Sequence, residues 1–128
     1  MKVRIEHVAL YVKDIEEVKS FYVKYFGAKS NGLYQNEEGF SSYFLTFDTG
    51  ARLEIMAHTL LEHREVKELV NGFNHLAFSV GSKEEVLRLT QEIVKDGHKL
   101  LSSPRDTGDG YFESCIADPE GNRIEITV

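Results

Sequence analysis

The chain carries one sequence pattern twice, and this repeat restricts its possible folds more than any other feature. Residues 5–12 read IEHVALYV and residues 73–80 read FNHLAFSV, 68 positions later. Residues 52–55 read RLEI and recur as RIEI at 123–126, 71 positions later. Because both motifs keep the same order in the two halves, the repeat predicts two copies of one structural unit.

The second copy is three residues longer than the first between its histidine and its glutamate. Tyr43 and Phe44 match Tyr111 and Phe112 at the shorter offset of 68 positions. The extra residues are therefore expected after this match, in the turn at 118–121, since turns tolerate insertions better than strands do.

Each copy has the pattern of a strand, a helix and three further strands. The first helix is predicted from the N-cap Asp14, with Glu17 three residues on, to Gly27. The second is predicted between Ser82 and Gly97. Apolar residues recur at helical spacing in both, at Ile15, Val18, Phe21, Tyr22, Tyr25 and Phe26, and at Val86, Leu89, Ile93 and Val94. The first strand of the first copy is expected at about 3–12. The strands that follow the helices are expected at about 28–35, 40–48 and 51–57 in the first copy and at about 99–102, 110–118 and 122–128 in the second.

The histidine and the glutamate of each copy are predicted to point away from the helix-packed core. Strand side chains alternate between two faces. The apolar face of each first strand suits packing under the helix, which leaves His7 and His75 on the opposite face, each two residues before an alanine. Glu54 and Glu125 lie between aliphatic residues that would face the core.

These four side chains form a candidate metal site. Two imidazoles and two carboxylates suit one divalent ion, which the residues leave open as Ni²⁺, Zn²⁺, Co²⁺, Fe²⁺ or Mn²⁺. Taken singly, each of the four residues also fits a solvated sheet face. The recurrence of both residue types at matching positions favours the metal site, with His7, Glu54, His75 and Glu125 as ligands.

The predicted fold is α+β, with two βαβββ modules related by a pseudo-twofold axis that form a curled mixed sheet around a metal cavity. The first module covers residues 1–58 and the second 72–128. Residues 59–71 form a connector that we expect to be partly helical. The two modules together make one domain, because 128 residues suit a single compact domain.

Composition excludes several classes of protein. The formal net charge is −6 and no cluster of lysine and arginine is present, so a nucleic-acid binder is not expected. No apolar run reaches the roughly 20 residues that a membrane span requires. Cys115 is the only cysteine, which excludes an intrachain disulfide and permits a reducing compartment. With no signal-peptide pattern at the N-terminus, we expect a cytoplasmic protein.

The motifs resemble the vicinal oxygen chelate superfamily, which includes glyoxalase I, bleomycin-resistance proteins, fosfomycin-resistance enzymes and extradiol dioxygenases. The resemblance covers nearly the whole chain. It rests on HVALYV at 7–12, FYVKYFG at 21–27, NHLAF at 74–78 and, most specifically, DPEGNRIEI at 118–126. The ligand pattern is closest to glyoxalase I, which uses one histidine or glutamine and one glutamate from each module.

The resemblance implies a metal-dependent lyase or isomerase that acts on a small oxo compound or its thiol adduct. Proton transfer would pass through a metal-stabilised enediolate, with Glu125 or Glu54 as the base. Tyr11, Arg52 and Arg123 share the face of the ligands and are candidates for the substrate pocket. A homodimer is also implied, with a small-molecule substrate and neither nucleic acid nor membrane as a partner.

Other functions on the same scaffold remain open. One alternative is a metal-free protein that binds a small molecule or antibiotic, as bleomycin-resistance proteins do. Another is an extradiol dioxygenase or a fosfomycin-type thiol transferase. The region 27–34 contains Lys29 but none of the arginines that commonly bind glutathione, so the thiol is open, as are the substrate, the physiological metal and the base. Whether the modules pair within one chain or across two is also open.

Overall fold

The computed structural model describes all residues from 1 to 128. The chain divides into two compact units, Met1–Arg64 and Glu65–Val128. The boundary between the units lies inside the segment 59–71 that the sequence predicts as a connector.

The first unit has a helix and a mixed sheet. Its elements are β1 (His7–Tyr11), α1 (Ile15–Phe26), β2 (Lys29–Ser30), β3 (Tyr34–Gln35), β4 (Phe40–Thr46) and β5 (Arg52–His58). The strand order is β1-β5-β4-β2, and β3 also pairs with β4. Strands β1 and β5 are parallel while the other pairs are antiparallel. The predicted strand at 28–35 forms as the two short strands β2 and β3.

The second unit repeats this architecture. Its elements are β6 (His75–Ser79), α2 (Lys83–Lys95), β7 (Leu100–Asp106), β8 (Phe112–Ala117) and β9 (Arg123–Thr127). The strand order is β6-β9-β8-β7, with β6 and β9 parallel. Each unit is therefore a βαβββ module, and the predicted α+β fold is confirmed. No helix of the chain has both the length and the apolar character that a membrane crossing demands.

Both helices begin at the predicted N-caps. The Asp14 carboxylate accepts a hydrogen bond from the Glu17 amide at 3.0 Å, and the Ser82 hydroxyl accepts one from the Glu85 amide at 3.2 Å. Helix α1 ends at Gly27, whose φ of 65° is the left-handed conformation that glycine adopts without strain. Helix α2 ends at Lys95 with Asp96 as its C-cap, and the predicted Gly97 follows with a φ of 97°, the left-handed conformation that closes a helix.

The apolar stripe of each helix covers one face of its own sheet. The buried residues of α1 are Val18, Phe21, Tyr22 and Tyr25, and those of α2 are Val86, Leu89, Thr90 and Ile93. Val94, predicted to belong to the second stripe, is instead exposed, since it lies in the last turn and about 100° around the helix from Ile93. Under the helices, the side chains of Leu53, Ile55, Ile124 and Ile126 are at most 2% exposed.

The register of the strands corrects the predicted position of the three extra residues. Phe44 pairs with Glu54 and Cys115 pairs with Glu125, so these two hairpins have the same length. The turn at 118–121 therefore contains no insertion, and the extra residues precede β8. The match of Tyr43 with Tyr111 was misleading, because Tyr43 lies buried in β4 whereas Tyr111 precedes β8 and is exposed.

The connector forms no helix, which corrects the expectation of partly helical structure. Between β5 and β6 there is a turn at 59–60 and a bend at 68–72, and the other residues have no regular secondary structure. Leu60 and Leu69 are 81% and 94% exposed, so an apolar helical face would have nothing to pack against. A short helix without a buried face is unstable in water.

Candidate metal centre

His7 and Glu54 form a pair in the first unit. In the parallel register of β1 and β5, His7 lies opposite Arg52 and Ala9 lies opposite Glu54. The small alanine beside the glutamate leaves room for the imidazole, and His7 Nε2 lies 3.9 Å from Glu54 Oε1. The Glu54 side chain is only 15% exposed, whereas that of His7 is 42% exposed.

His75 and Glu125 form the corresponding pair in the second unit. His75 lies opposite Arg123 and Ala77 opposite Glu125, the same register as in the first unit. The distance from His75 Nε2 to Glu125 Oε2 is 3.2 Å. The repeat in the sequence therefore corresponds to a repeated arrangement of donor atoms.

Both pairs fit a divalent metal ion. Imidazole nitrogen and carboxylate oxygen bind such ions at about 2.0–2.2 Å, so two atoms on one ion lie at most about 4.4 Å apart. The nitrogen–oxygen distances of 3.9 and 3.2 Å both satisfy this limit. Within each unit, one histidine and one glutamate of the predicted set lie together. No group of three or more His, Cys, Asp or Glu side chains that could hold an ion occurs in the chain.

The other imidazole nitrogen of each histidine contacts the residue that precedes it. His7 Nδ1 lies 2.5 Å from Glu6 Oε2, and His75 Nδ1 lies 2.8 Å from Asn74 Oδ1. In both pairs, Nε2 is consequently the nitrogen that faces the glutamate.

The two arginines assigned to the substrate pocket have acidic partners. Arg52 donates from Nε to Glu6 Oε1 at 2.9 Å, and its guanidinium stacks over the Phe44 ring, 4.2 Å from the centroid. Arg123 Nη2 lies 3.6 Å from Glu68 Oε1, and its buried Nε has no hydrogen-bond partner. Both guanidinium groups thus compensate acidic charge within their own units.

Tyr11 lies at the end of β1 opposite Met56, on the same strand face as His7. Tyr11 is 51% exposed, whereas the next residue, Val12, is buried. This alternation agrees with the prediction that Tyr11 points away from the helix-packed core. The structure therefore places Tyr11 on the histidine face, two positions beyond Ala9.

Glu113 lies against the second pair and is not among the residues that the sequence predicts for the site. It lies on β8 and hydrogen-bonds with Glu125, and burial together with the charge of Glu125 raises the pKa of the Glu113 carboxyl. The alternation of β8 puts Glu113 on the face of Cys115, the cross-strand partner of Glu125. Alternation was readable from sequence, but the register that brings the two carboxyls together was not.

Glu113→Gln is expected to raise the free energy of unfolding of the metal-free protein at neutral pH. The change removes like-charge contacts with Glu125 and Asp109, which outweigh the lost attraction to the cross-strand partner Arg105, and it retains hydrogen-bonding capacity. The gain should therefore be a few tenths to about 1 kcal/mol. Urea denaturation in the presence of a chelator measures it. The control is Glu37→Gln, an exposed glutamate between β3 and β4, which should change nothing. A loss of stability in Glu113→Gln alone would contradict the expected repulsion.

His58 and Cys115 have local roles. His58 Nδ1 accepts a hydrogen bond from the Leu60 amide at 3.0 Å at the end of β5. Cys115 is 4% exposed, and burial raises the pKa of its thiol. These contacts agree with packing and turn formation rather than with a reactive centre.

Comparisons with known proteins bear on nearly the whole chain. The model of a family described as the Glyoxalase/Bleomycin resistance protein/Dioxygenase superfamily matches residues 4–126. The uncharacterized protein YqjT of Bacillus subtilis (strain 168) is 26% identical over 125 residues, which are 95% of this chain and 96% of that protein.

Solved structures share the fold at low sequence identity. A glyoxylase/bleomycin resistance protein/dioxygenase domain from Frankia sp. EAN1pec superposes with a TM-score of 0.85 at 18% identity, covering 100% of this chain and 98% of that one. Glyoxalase I from Zea mays gives a TM-score of 0.80 at 22% identity, covering 97% of this chain and 44% of the maize chain.

Proposed function

The chain belongs to the Glyoxalase/Bleomycin resistance protein/Dioxygenase superfamily, and from this premise we propose that it is a metal-dependent lyase or isomerase of the glyoxalase I type. The superfamily includes both enzymes and binding proteins, so the activity has to be argued from the site. The observation that carries the proposal is the duplicated pair of histidine and glutamate, with Nε2 facing a carboxylate oxygen at 3.9 and 3.2 Å.

In this proposal His7, Glu54, His75 and Glu125 hold one divalent ion, Ni²⁺ or Zn²⁺. The histidines supply neutral nitrogen donors and the glutamates supply charge, a mixed donor set that suits borderline ions better than soft or very hard ones. When bound, the ion acts as a Lewis acid beside the oxygens of the substrate.

The glutamates are proposed to move the proton. Their side chains are only 15% and 24% exposed, so each carboxylate is partly shielded from water while one face of the strand remains open. A carboxylate held beside a carbon that neighbours a carbonyl can remove its proton and return one to the adjacent carbon. Glu125 and Glu54 are both candidates for this role.

The proposed substrate is a small oxo compound or its thiol adduct. Arg52 and Arg123 are already engaged by Glu6 and Glu68, which supports a role in balancing the charge of the carboxylates over a role in binding a substrate carboxylate. The absence of an arginine at 27–34 gives no support to glutathione as the thiol.

We also propose a cytoplasmic homodimer. The single cysteine is buried and in no disulfide, which is compatible with a reducing compartment. Apolar side chains beside both histidine strands are exposed within one chain, with Ile5 at 70% and Phe73 at 98%, and their burial against a second copy would favour association. The mass in solution, measured by light scattering with and without metal, tests the dimer.

Metal uptake tests the proposed function directly. Purified protein, stripped with a chelator and titrated with Ni²⁺ or Zn²⁺, is expected to bind one ion per site, and His75→Ala should lower the affinity strongly. His63→Ala, in the connector, is the matched control.

The loaded protein is then assayed with methylglyoxal and several thiols. Protein that takes up neither ion would instead favour metal-free ligand binding, and dioxygen consumption on catechols by an iron-loaded form would favour a dioxygenase.

A further inference from the structure

The residue before each metal-binding histidine occupies an equivalent place in the two units. Glu6 and Asn74 lie 68 positions apart in the repeat, and each puts an oxygen against Nδ1 of the histidine that follows. We propose that Glu6 and Asn74 are positioning residues, which keep the proton of each imidazole on Nδ1 and present Nε2 to the glutamate of the same pair. This inference rests on the proposed function.

The contacts of Asn74 identify which of its side-chain atoms faces His75. Asn74 Nδ2 donates a hydrogen bond to the backbone oxygen of Glu68 at 2.9 Å. This bond orients the amide, so that Oδ1 is the atom 2.8 Å from His75 Nδ1. An amide oxygen only accepts hydrogen bonds, and the proton in this contact must therefore belong to Nδ1.

Glu6 is held in place by a different neighbour. Its Oε1 accepts hydrogen bonds from Arg52, whose Nε and Nη2 lie at 2.9 and 2.5 Å, while its Oε2 contacts His7 Nδ1 at 2.5 Å. A carboxylate likewise only accepts, so His7 also carries a proton on Nδ1. When a ring carries one proton and keeps it on Nδ1, Nε2 is the nitrogen whose lone pair is available to an ion.

The two partners differ in charge, which makes the pairs unequal. A carboxylate behind an imidazole raises the basicity of the opposite nitrogen, and an amide does so less. Nε2 of His7 is accordingly expected to donate its lone pair to an ion more strongly than Nε2 of His75. Arg52 reduces this difference in basicity because it neutralises part of the charge of Glu6.

The tautomer can be measured without metal. In chelator-treated protein at alkaline pH, long-range ¹H–¹⁵N spectra of the imidazoles should show His7 and His75 with the proton on Nδ1. Asn74→Ala should move His75 toward the Nε2-protonated form, and Asn74→Asp, which retains an acceptor, should restore the proton to Nδ1. Asn71→Ala, in the same loop, should leave the spectrum unchanged.

Metal affinity provides the second readout. Glu6→Ala and Asn74→Ala are each expected to lower the affinity for Zn²⁺ by about 10–100-fold, and Asn74→Asp should recover most of the loss. Thermal melting without metal checks that the folds are intact. A wild-type His75 protonated on Nε2, or unchanged Zn²⁺ affinity in both alanine variants, would overturn the positioning role. Wild-type protein that binds no Zn²⁺ but shows the expected tautomers would instead refute only the proposed function.

Discussion

Glu125→Gln is expected to lower kcat of the metal-loaded protein by about 100-fold or more, the range that a positioned general acid or base contributes. The amide that replaces the carboxylate neither accepts the substrate proton nor supplies negative charge to the ion. The Glu125 side chain is only 24% exposed, and its Oε2 lies 3.2 Å from His75 Nε2 within the proposed site. Steady-state kinetics with the substrate found in the thiol screen measures the effect, and the metal content of each preparation is determined in parallel.

Two further variants make this result specific. Glu54→Gln tests the equivalent carboxylate of the first unit, and the larger loss of kcat at equal metal content identifies the base. Glu92→Gln changes an exposed glutamate of α2 that pairs with Arg88, and it should leave kcat unaltered. Undiminished kcat in Glu125→Gln with full metal occupancy would remove Glu125 from proton transfer.

Ile55→Ala and Ile126→Ala are each expected to lower the free energy of unfolding by about 2–5 kcal/mol, because the change leaves a cavity under the helix as well as losing apolar burial. Both side chains are 0% exposed, and each follows a proposed metal ligand by one residue. Urea denaturation followed by circular dichroism measures the loss. Val3→Ala, at a side chain 82% exposed, serves as the control and should stay within about 0.5 kcal/mol of wild type.

Variants of Ile55 and Ile126 also test whether core packing orients the adjacent proposed metal ligands. The buried isoleucine fixes which face of the strand points inward, and alternation then directs the adjacent glutamate to the other face. Milder Ile55→Val and Ile126→Val changes, which typically cost about 0.5–1.5 kcal/mol, should keep metal affinity intact. A loss below about 1 kcal/mol in the alanine variants would show that these positions do not hold the core as their burial indicates.

The repeat, the helix caps and the facing of the strands were all determined by the sequence alone. Each depends on residues close together in the chain: the Asp14 cap spans three positions, and the alternation around Glu54 spans two. Such short-range rules act in the same way whatever the rest of the molecule does, so the βαβββ order and the His–Glu pairing in equivalent places could be predicted.

Only the tertiary structure decided how the strands pair and what surrounds each ligand. It placed Cys115 opposite Glu125, moved the three extra residues ahead of β8, and brought Glu113 against Glu125 and Arg52 against Glu6. These contacts join residues 12 and 46 positions apart. Strand register is set by the combined packing of a helix and several strands, and a local resemblance such as that of Tyr43 to Tyr111 carries no information about it.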